Sequence, residues 1–248
     1  MAYKRFTNCV VLGASGGVGA AICARLAGDT GPKVIHAGGR TAPALADVAS
    51  IAAIRPFFFD YADETSLEKA AAQIAQAGPV DLCVVATGVL QSLPQIRPER
   101  SWRSIDADAM AEVFMVNTIG PALAAKHFVP IMRKDAASVF LAISARVGSV
   151  GDNRLGGWHS YRASKAALNM IVRNVAIELE RVNPGAVAVA YHPGTVRTGL
   201  SEPFTGSTAE QKLFTPDNAA AKLLDVASAL QAEDSGSFVA FDGSKIAW

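Results

Sequence analysis

The chain has 248 residues, half of them hydrophobic, enough for one large core or two small ones. Its 23 Lys and Arg nearly balance 22 Asp and Glu, so no overall field draws it to nucleic acid or anionic lipid, and small-molecule chemistry leads. No apolar run reaches the ~18 residues of a membrane span and no Pro-, Gly- or Ser-rich linker divides the chain, so one soluble, cytoplasmic domain over 1–248 is expected.

Thr7 to Leu12 reads as the first strand. It runs into Gly13-Ala14-Ser15-Gly16-Gly17-Val18-Gly19 and then a helix, Gly17 to Ala27. Glycines in that place allow a tight turn, close approach of backbone amides to a pyrophosphate, and an anion at the positive helix end. The spacing is GxxxGxG, and the plain alternative is a glycine-rich turn that binds nothing. Lys33 to Ala37 is the second strand. No Asp or Glu occurs from Val34 to Thr41, whereas Arg40 is present. A cation there suits a 2'-phosphate, so NADP(H) is favoured over NAD(H), with a solvated surface charge as the alternative for Arg40. The third strand, Ile54 to Phe59, leads to Asp60, placed to touch adenine; a helix N-cap is the other role available, and Asp63 fits that one better.

A helix from Thr65 to Ala77 precedes the fourth strand, Val80 to Ala86, and a long helix from Ala107 to Arg133 precedes the fifth, Ser138 to Ile143. Next come a helix from Tyr161 to Val182, a strand from Ala186 to Tyr191, a helix from Pro216 to Leu230 and a strand from Ser237 to Phe241. Strands apolar throughout and alternating with helices indicate a parallel sheet covered on both faces, a doubly wound α/β fold. Ligands of such sheets bind beyond the carboxyl ends of the strands. The segment 199–215 breaks the alternation and reads as a mobile substrate loop. Cys9, Cys23 and Cys83 lie in apolar segments without metal-ligand spacing and read as reduced core thiols; no metal site is expected.

Tyr161 and Lys165 stand four apart, on one helix face, and Ser144 ends the fifth strand. A nearby ammonium favours a phenolate, so lysine would lower the tyrosine pKa and make it a proton shuttle, while a serine hydroxyl would hold a carbonyl oxygen. Taken by itself the pair is also what a half-buried tyrosine beside a solvated lysine looks like. The glycine loop, Ser144, the pair and the turn His192-Pro193-Gly194-Thr195-Val196-Arg197-Thr198 occur in one order along the chain.

In that order and spacing the sequence resembles the short-chain dehydrogenase/reductase family over nearly its whole length. The resemblance implies a single Rossmann-like domain with a seven-stranded parallel sheet, a nicotinamide cofactor and hydride exchange between alcohol and carbonyl. It implies Tyr161 as general acid and base, Ser144 orienting substrate, Lys165 also binding the nicotinamide ribose, and Asn117 in FMVNTIGP holding a relay water. Pro193, Gly194, Val196 and Thr198 match the turn that positions the carboxamide. Where many members have Asn-Asn-Ala-Gly, this chain has Val85-Ala86-Thr87-Gly88. Ala86 and Gly88 still permit approach to the adenosine ribose, but an asparagine's support for neighbouring strands is lost. SARVGS, GGWHSYRASKAALN and GSFVAFDGSKIAW are similar to the C-factor-like branch, which includes carbonyl reductases and a cell-contact signalling protein. A homo-oligomer is implied by the family.

For the substrate, Trp158, Leu200, Phe204, Leu213 and Phe214 would form an apolar wall, or pack the loop onto the core. Arg146 and His159, near Ser144 and Tyr161, would touch a polar substrate group, or else serve as a surface ion pair and a helix-end contact. Two functions follow: an NADP-dependent carbonyl reductase, or a dinucleotide-binding signalling protein with incidental turnover. Sugar-nucleotide epimerases share YxxxK but require a larger C-terminal domain than the segment after Lys165 supplies.

Overall fold

A computed structural model describes residues 5–28, 34–91, 96–201 and 213–248. Among these, the strands are β1 (Asn8–Leu12), β2 (Val34–Gly39), β3 (Ile54–Phe58), β4 (Leu82–Val85), β5 (Ser138–Ile143), β6 (Ala186–His192), β7 (Thr195–Val196), β8 (Leu213–Phe214) and β9 (Phe238–Ala240). The helices are α1 (Gly17–Gly28), α2 (Ala42–Ala49), α3 (Glu64–Ala75), α4 (Ala107–Phe114), α5 (Gly120–Phe128), α6 (His159–Val182) and α7 (Pro216–Ala229). Seven strands pair in parallel in the order β3-β2-β1-β4-β5-β6-β9. This is the expected Rossmann-like doubly wound sheet.

Every residue of β1 and β4 is buried, as strands sandwiched between helix layers must be. Side chains alternate across the sheet. Val10 and Leu12 face a core shared with Leu67 of α3, Phe128 of α5 and Leu168 of α6. Cys9 and Val11 face the other, shared with Ile22 of α1, Leu45 of α2 and Leu223 of α7. Cys9, Cys23 and Cys83 are all buried and unpaired, and burial pushes the Cys23 thiol up to about 12. The strand order reverses between β1 and β4, which opens a crevice beyond their carboxyl ends.

Some details differ from the sequence expectation. The span expected as one helix from Ala107 to Arg133 is α4, a wide π turn at Met115–Ile119, α5 and a closing 3-10 turn at Val129–Ile131. α2 was not foreseen, nor was the pairing of β7 with β8, which joins the two ends of the expected loop 199–215. The middle of that loop lies outside the described residues.

Candidate active site

The chain turns on Gly13 directly after β1, with a φ of +88°, where a side chain is strained. A methyl on Gly13 would sit 2.8 Å from the Thr87 nitrogen, and one on Gly19 would sit 2.2 Å from Gly13 O. The Gly13 and Ala14 amides donate to Gly38 O at the end of β2, at 3.0 and 2.9 Å. With its base tied down, the turn leaves Ser15, Gly16 and Gly17 exposed and Val18 half-buried at the start of α1, whose first turn carries no acidic side chain. Such amides at a positive helix end suit a pyrophosphate. Arg40 follows β2 and is exposed, as is Asp60 after β3. The Asp60 carboxylate accepts from Ala62 N at 2.9 Å and so shapes its own turn, while Asp63 caps α3 through Thr65 N at 3.1 Å.

After β4, Ala86 N donates to Leu12 O at 2.8 Å, which holds this segment beside the glycine turn. The support an asparagine would have given is supplied differently: Thr87 Oγ1 pairs with Tyr61 OH at 2.9 Å, binding the end of β4 to the chain beyond β3. A methyl on Gly88 would lie 3.5 Å from Asn117 Oδ1 and 3.8 Å from Lys165 Nζ. Glycine loop, β4 end, Asn117 and Lys165 therefore form one continuous path.

Asn117 is fully buried in the wide turn, where Gly120 N–H returns to Met115 O. Pro121 explains the widening. Four residues after Asn117, it brings no N–H to the Asn117 carbonyl and its ring crowds that oxygen, so the helix opens there. The Asn117 side chain is fixed: Oδ1 accepts from Val89 N at 2.8 Å, and Nδ2 donates to Val89 O at 2.8 Å and Ser164 Oγ at 3.1 Å. Thr118 Oγ1 donates to Ser164 O at 2.8 Å. These bonds fasten the wide turn to α6 beside Lys165.

Ser144 follows β5, its N–H held by Tyr191 O at 2.7 Å. Its hydroxyl, in a residue only 2% exposed, donates to Asn169 Oδ1 at 2.7 Å. Lys165, 3% exposed, donates from Nζ to Ile143 O at 2.8 Å, and Nζ lies 5.9 Å from the centre of the Tyr161 ring. α6 thus lays Tyr161, Lys165 and Asn169 along one face against the end of β5. The pairing was expected to lower the tyrosine pKa. Burial instead pushes the Tyr161 hydroxyl up to about 12 and the Lys165 ammonium down to about 7. Both groups lose water in the same recess, which disfavours the charged form of each. The Tyr161 hydroxyl is thereby harder to deprotonate and the Lys165 ammonium easier.

The start of α6 is secured from a distance. Trp158 takes a left-handed φ of +51° and its N–H donates to Glu99 O at 2.6 Å. The buried Glu99 carboxylate accepts from Ser160 N at 3.2 and 3.3 Å and from Ser160 Oγ. A carboxylate there satisfies orphan amides and complements the helix dipole. The Trp158 ring stands edge-on to Tyr161, centres 6.3 Å apart.

Pro193, Gly194, Val196 and Thr198 follow β6, with Gly194 at a φ of +77°. A methyl on Gly17 would lie 3.0 Å from Thr198 Cγ2, so this turn abuts the glycine loop. The nominated substrate residues fare unevenly. Phe214 packs edge-on to Phe241 at 4.9 Å, with Lys222 Nζ 5.3 Å from its centre, and Leu213 pairs in register with Thr195. Phe214 thereby fixes its segment to the core. Arg146 directs Nε to Asp152 Oδ2 at 2.9 Å in an exposed ion pair, while its N–H donates to His192 Nδ1 at 3.3 Å. His159 opens α6 and, like Leu200, is half-buried; Phe204 lies outside the described residues. A cleft of about 720 Å³ is lined by Asn169, Met170, Phe238 and Trp248, none of them nominated. Sequence reasoning also passed over Glu99 and Asn169. Asn169 carried a signal, standing four residues beyond Lys165, whereas Glu99 reaches α6 from far along the chain and carried none.

The profile of the short chain dehydrogenase family matches residues 7–208. The chain belongs to this family. As a short-chain dehydrogenase it is an oxidoreductase acting on small molecules. It is 33% identical over 247 residues to 1-hydroxy-2-glutathionyl-2-methyl-3-butene dehydrogenase of Rhodococcus sp. strain AD45, covering 98% of this chain and 100% of that one. It is 32% identical over 174 residues to C-signal of Myxococcus xanthus, covering 69% and 94%. The NADPH-bound carbonyl reductase from chicken fatty liver superposes with a TM-score of 0.85 at 26% identity, covering 100% and 96%. The expected resemblance is thus met by C-signal among the relatives and by a carbonyl reductase among the solved structures. Among the described residues no helix is long and apolar enough to cross a membrane.

Proposed function

We propose that this short-chain dehydrogenase reduces a carbonyl compound with NADPH, and that Tyr161 donates the proton. The observation that carries this reading is the convergence of Ser144, Tyr161 and Lys165 at the end of β5, on the path that runs from the glycine loop past Gly88.

The residues present fit a dinucleotide. Gly13 and Gly19 hold a turn that a Cβ would fill, Ser15, Gly16 and Gly17 are exposed at the α1 end, and Arg40 stands exposed where a 2'-phosphate would meet it. Asp60, Ala86 and Gly88 would flank the adenosine half; Pro193, Gly194, Val196 and Thr198 the nicotinamide half. When bound, the reduced nicotinamide supplies the hydride. Tyr161, protonated well beyond neutral pH, gives its hydroxyl proton to the carbonyl oxygen while Ser144 holds that oxygen. Lys165, whose ammonium burial makes easier to deprotonate, would hold the ribose and return a proton toward Tyr161. The Asn117 carbonyl, to which Pro121 brings no N–H, would hold the relay water. Trp158 and Leu200 offer apolar contact to the substrate.

Similarity to C-signal supports a second reading, in which the protein signals and turnover is incidental. Retention of Tyr161, Lys165, Ser144 and Asn117 together favours catalysis, because binding alone needs no ionisable phenol beside a lysine. Oxidation of NADPH, followed at the reduced-nicotinamide absorbance band with aldehydes, ketones and quinones, separates the two. Carbonyl-dependent oxidation supports the reductase; tight NADPH binding without turnover across the panel supports signalling.

A further inference from the structure

We propose that Asn169 is a positioning residue that sets the direction of the Ser144 hydroxyl and, by turning its side-chain amide, releases the Ser144 proton toward the substrate oxygen. The inference rests on the reductase reading of the site and concerns how Ser144 becomes able to donate.

A serine hydroxyl carries one proton. Here that proton is directed at Asn169 Oδ1, 2.7 Å away, between side chains 2% and 3% exposed. In this arrangement Ser144 offers a carbonyl oxygen only lone pairs, the wrong polarity for holding it. The other end of the amide, Asn169 Nδ2, is buried and has no hydrogen-bond partner. An orphaned N–H of this kind carries its full desolvation cost uncompensated. It is also less readily tolerated than an under-satisfied carbonyl oxygen. A half-turn about the terminal torsion exchanges the two ends at almost no change in shape. Nδ2 then donates to Ser144 Oγ, the orphan is relieved, and the hydroxyl proton is free to point at the substrate.

Two donors would then meet one oxygen in different roles. Tyr161 gives its proton up, whereas Ser144 keeps its own and aims it. Tyr161, Lys165 and Asn169 lie at successive fourth positions on α6, so one helix face places the proton donor, its ammonium neighbour and the residue that aims the second donor.

The test compares Asn169→Asp and Asn169→Leu with wild type for NADPH-dependent carbonyl reduction across pH, alongside NADPH affinity. An ionised aspartate only accepts and would hold the Ser144 proton permanently. Asn169→Asp is expected to lower kcat about tenfold or more at neutral pH with NADPH affinity unchanged, and to recover as pH falls and the carboxyl becomes a donor. Asn169→Leu, which no longer competes for the proton, is expected to lose less than Asn169→Asp at neutral pH. Lys165 titrates in wild type as well, so the quantity read is the ratio of the Asn169→Asp rate to the wild-type rate, which is expected to rise as pH falls. An Asn169→Asp protein that binds NADPH yet keeps the wild-type rate and pH profile contradicts the proposal, as does equal loss in both variants at every pH. Wild type without turnover contradicts the reductase reading itself, and this inference with it.

Discussion

Lys165 Nζ stands 5.9 Å from the centre of the Tyr161 ring and is hydrogen-bonded to Ile143 O at 2.8 Å. Burial lowers this ammonium to about 7 from its ordinary 10.5. The unfolded chain therefore holds the proton more tightly, which makes the folded ammonium a penalty. The penalty is fully present below about pH 7 and is relieved as pH rises toward the unfolded value. Lys165→Met, measured by thermal unfolding without cofactor, should be more stable than wild type at pH 6 to 7, on the order of 1–3 kcal/mol, with the difference closing toward pH 10. A difference that stays constant over that range would show that the ammonium is not desolvated.

The pairing of Thr87 with Tyr61 ties the end of β4 to the chain after β3. Thr87→Val leaves a buried phenol without a partner and should cost about 1–3 kcal/mol. Tyr61→Phe should cost a similar amount or less, and the double variant no more than the worse single. Additive losses in denaturant unfolding would mean that the two groups act separately.

Glu99 holds the first turn of α6 through both the amide and the hydroxyl of Ser160, one residue before Tyr161. Glu99→Ala should destabilise the protein by about 1–3 kcal/mol and change the near-ultraviolet circular dichroism of Trp158, whose backbone the same residue holds. An unchanged spectrum with unchanged stability would remove Glu99 from the architecture of the site.

Arg40 is exposed at the carboxyl end of β2, with no acidic residue in that strand. Arg40→Ala should weaken NADPH by about tenfold while leaving NADH nearly unaffected. Equal losses for the two cofactors, read by fluorescence titration, would detach Arg40 from cofactor choice.

The strands and the site showed in the sequence to different depths. Ser138–Ile143 was read to the residue because parallel strands buried on both faces leave continuous apolar runs. α2 was missed, a short element that brings Leu45 and Val48 to the core. β7 and β8, two residues each, exist because distant segments meet, which no local pattern records. Spacing placed Tyr161 and Lys165 together correctly, but the direction of their pKa shifts depends on how much water the fold removes. The wide turn at Asn117 had its signal in Pro121, and the partnership of Ser144 with Asn169 had half of one, since helical spacing gives the face but not which strand end it touches.

Tyr161 is the proposed proton donor on which the reductase reading turns. The most direct test is carbonyl-dependent NADPH oxidation by Tyr161→Phe beside wild type, with NADPH affinity measured on both. Wild type is expected to be active, and the variant to lose turnover by about a thousandfold with NADPH binding nearly intact. Carbonyl reduction by Tyr161→Phe at the wild-type rate would contradict that role.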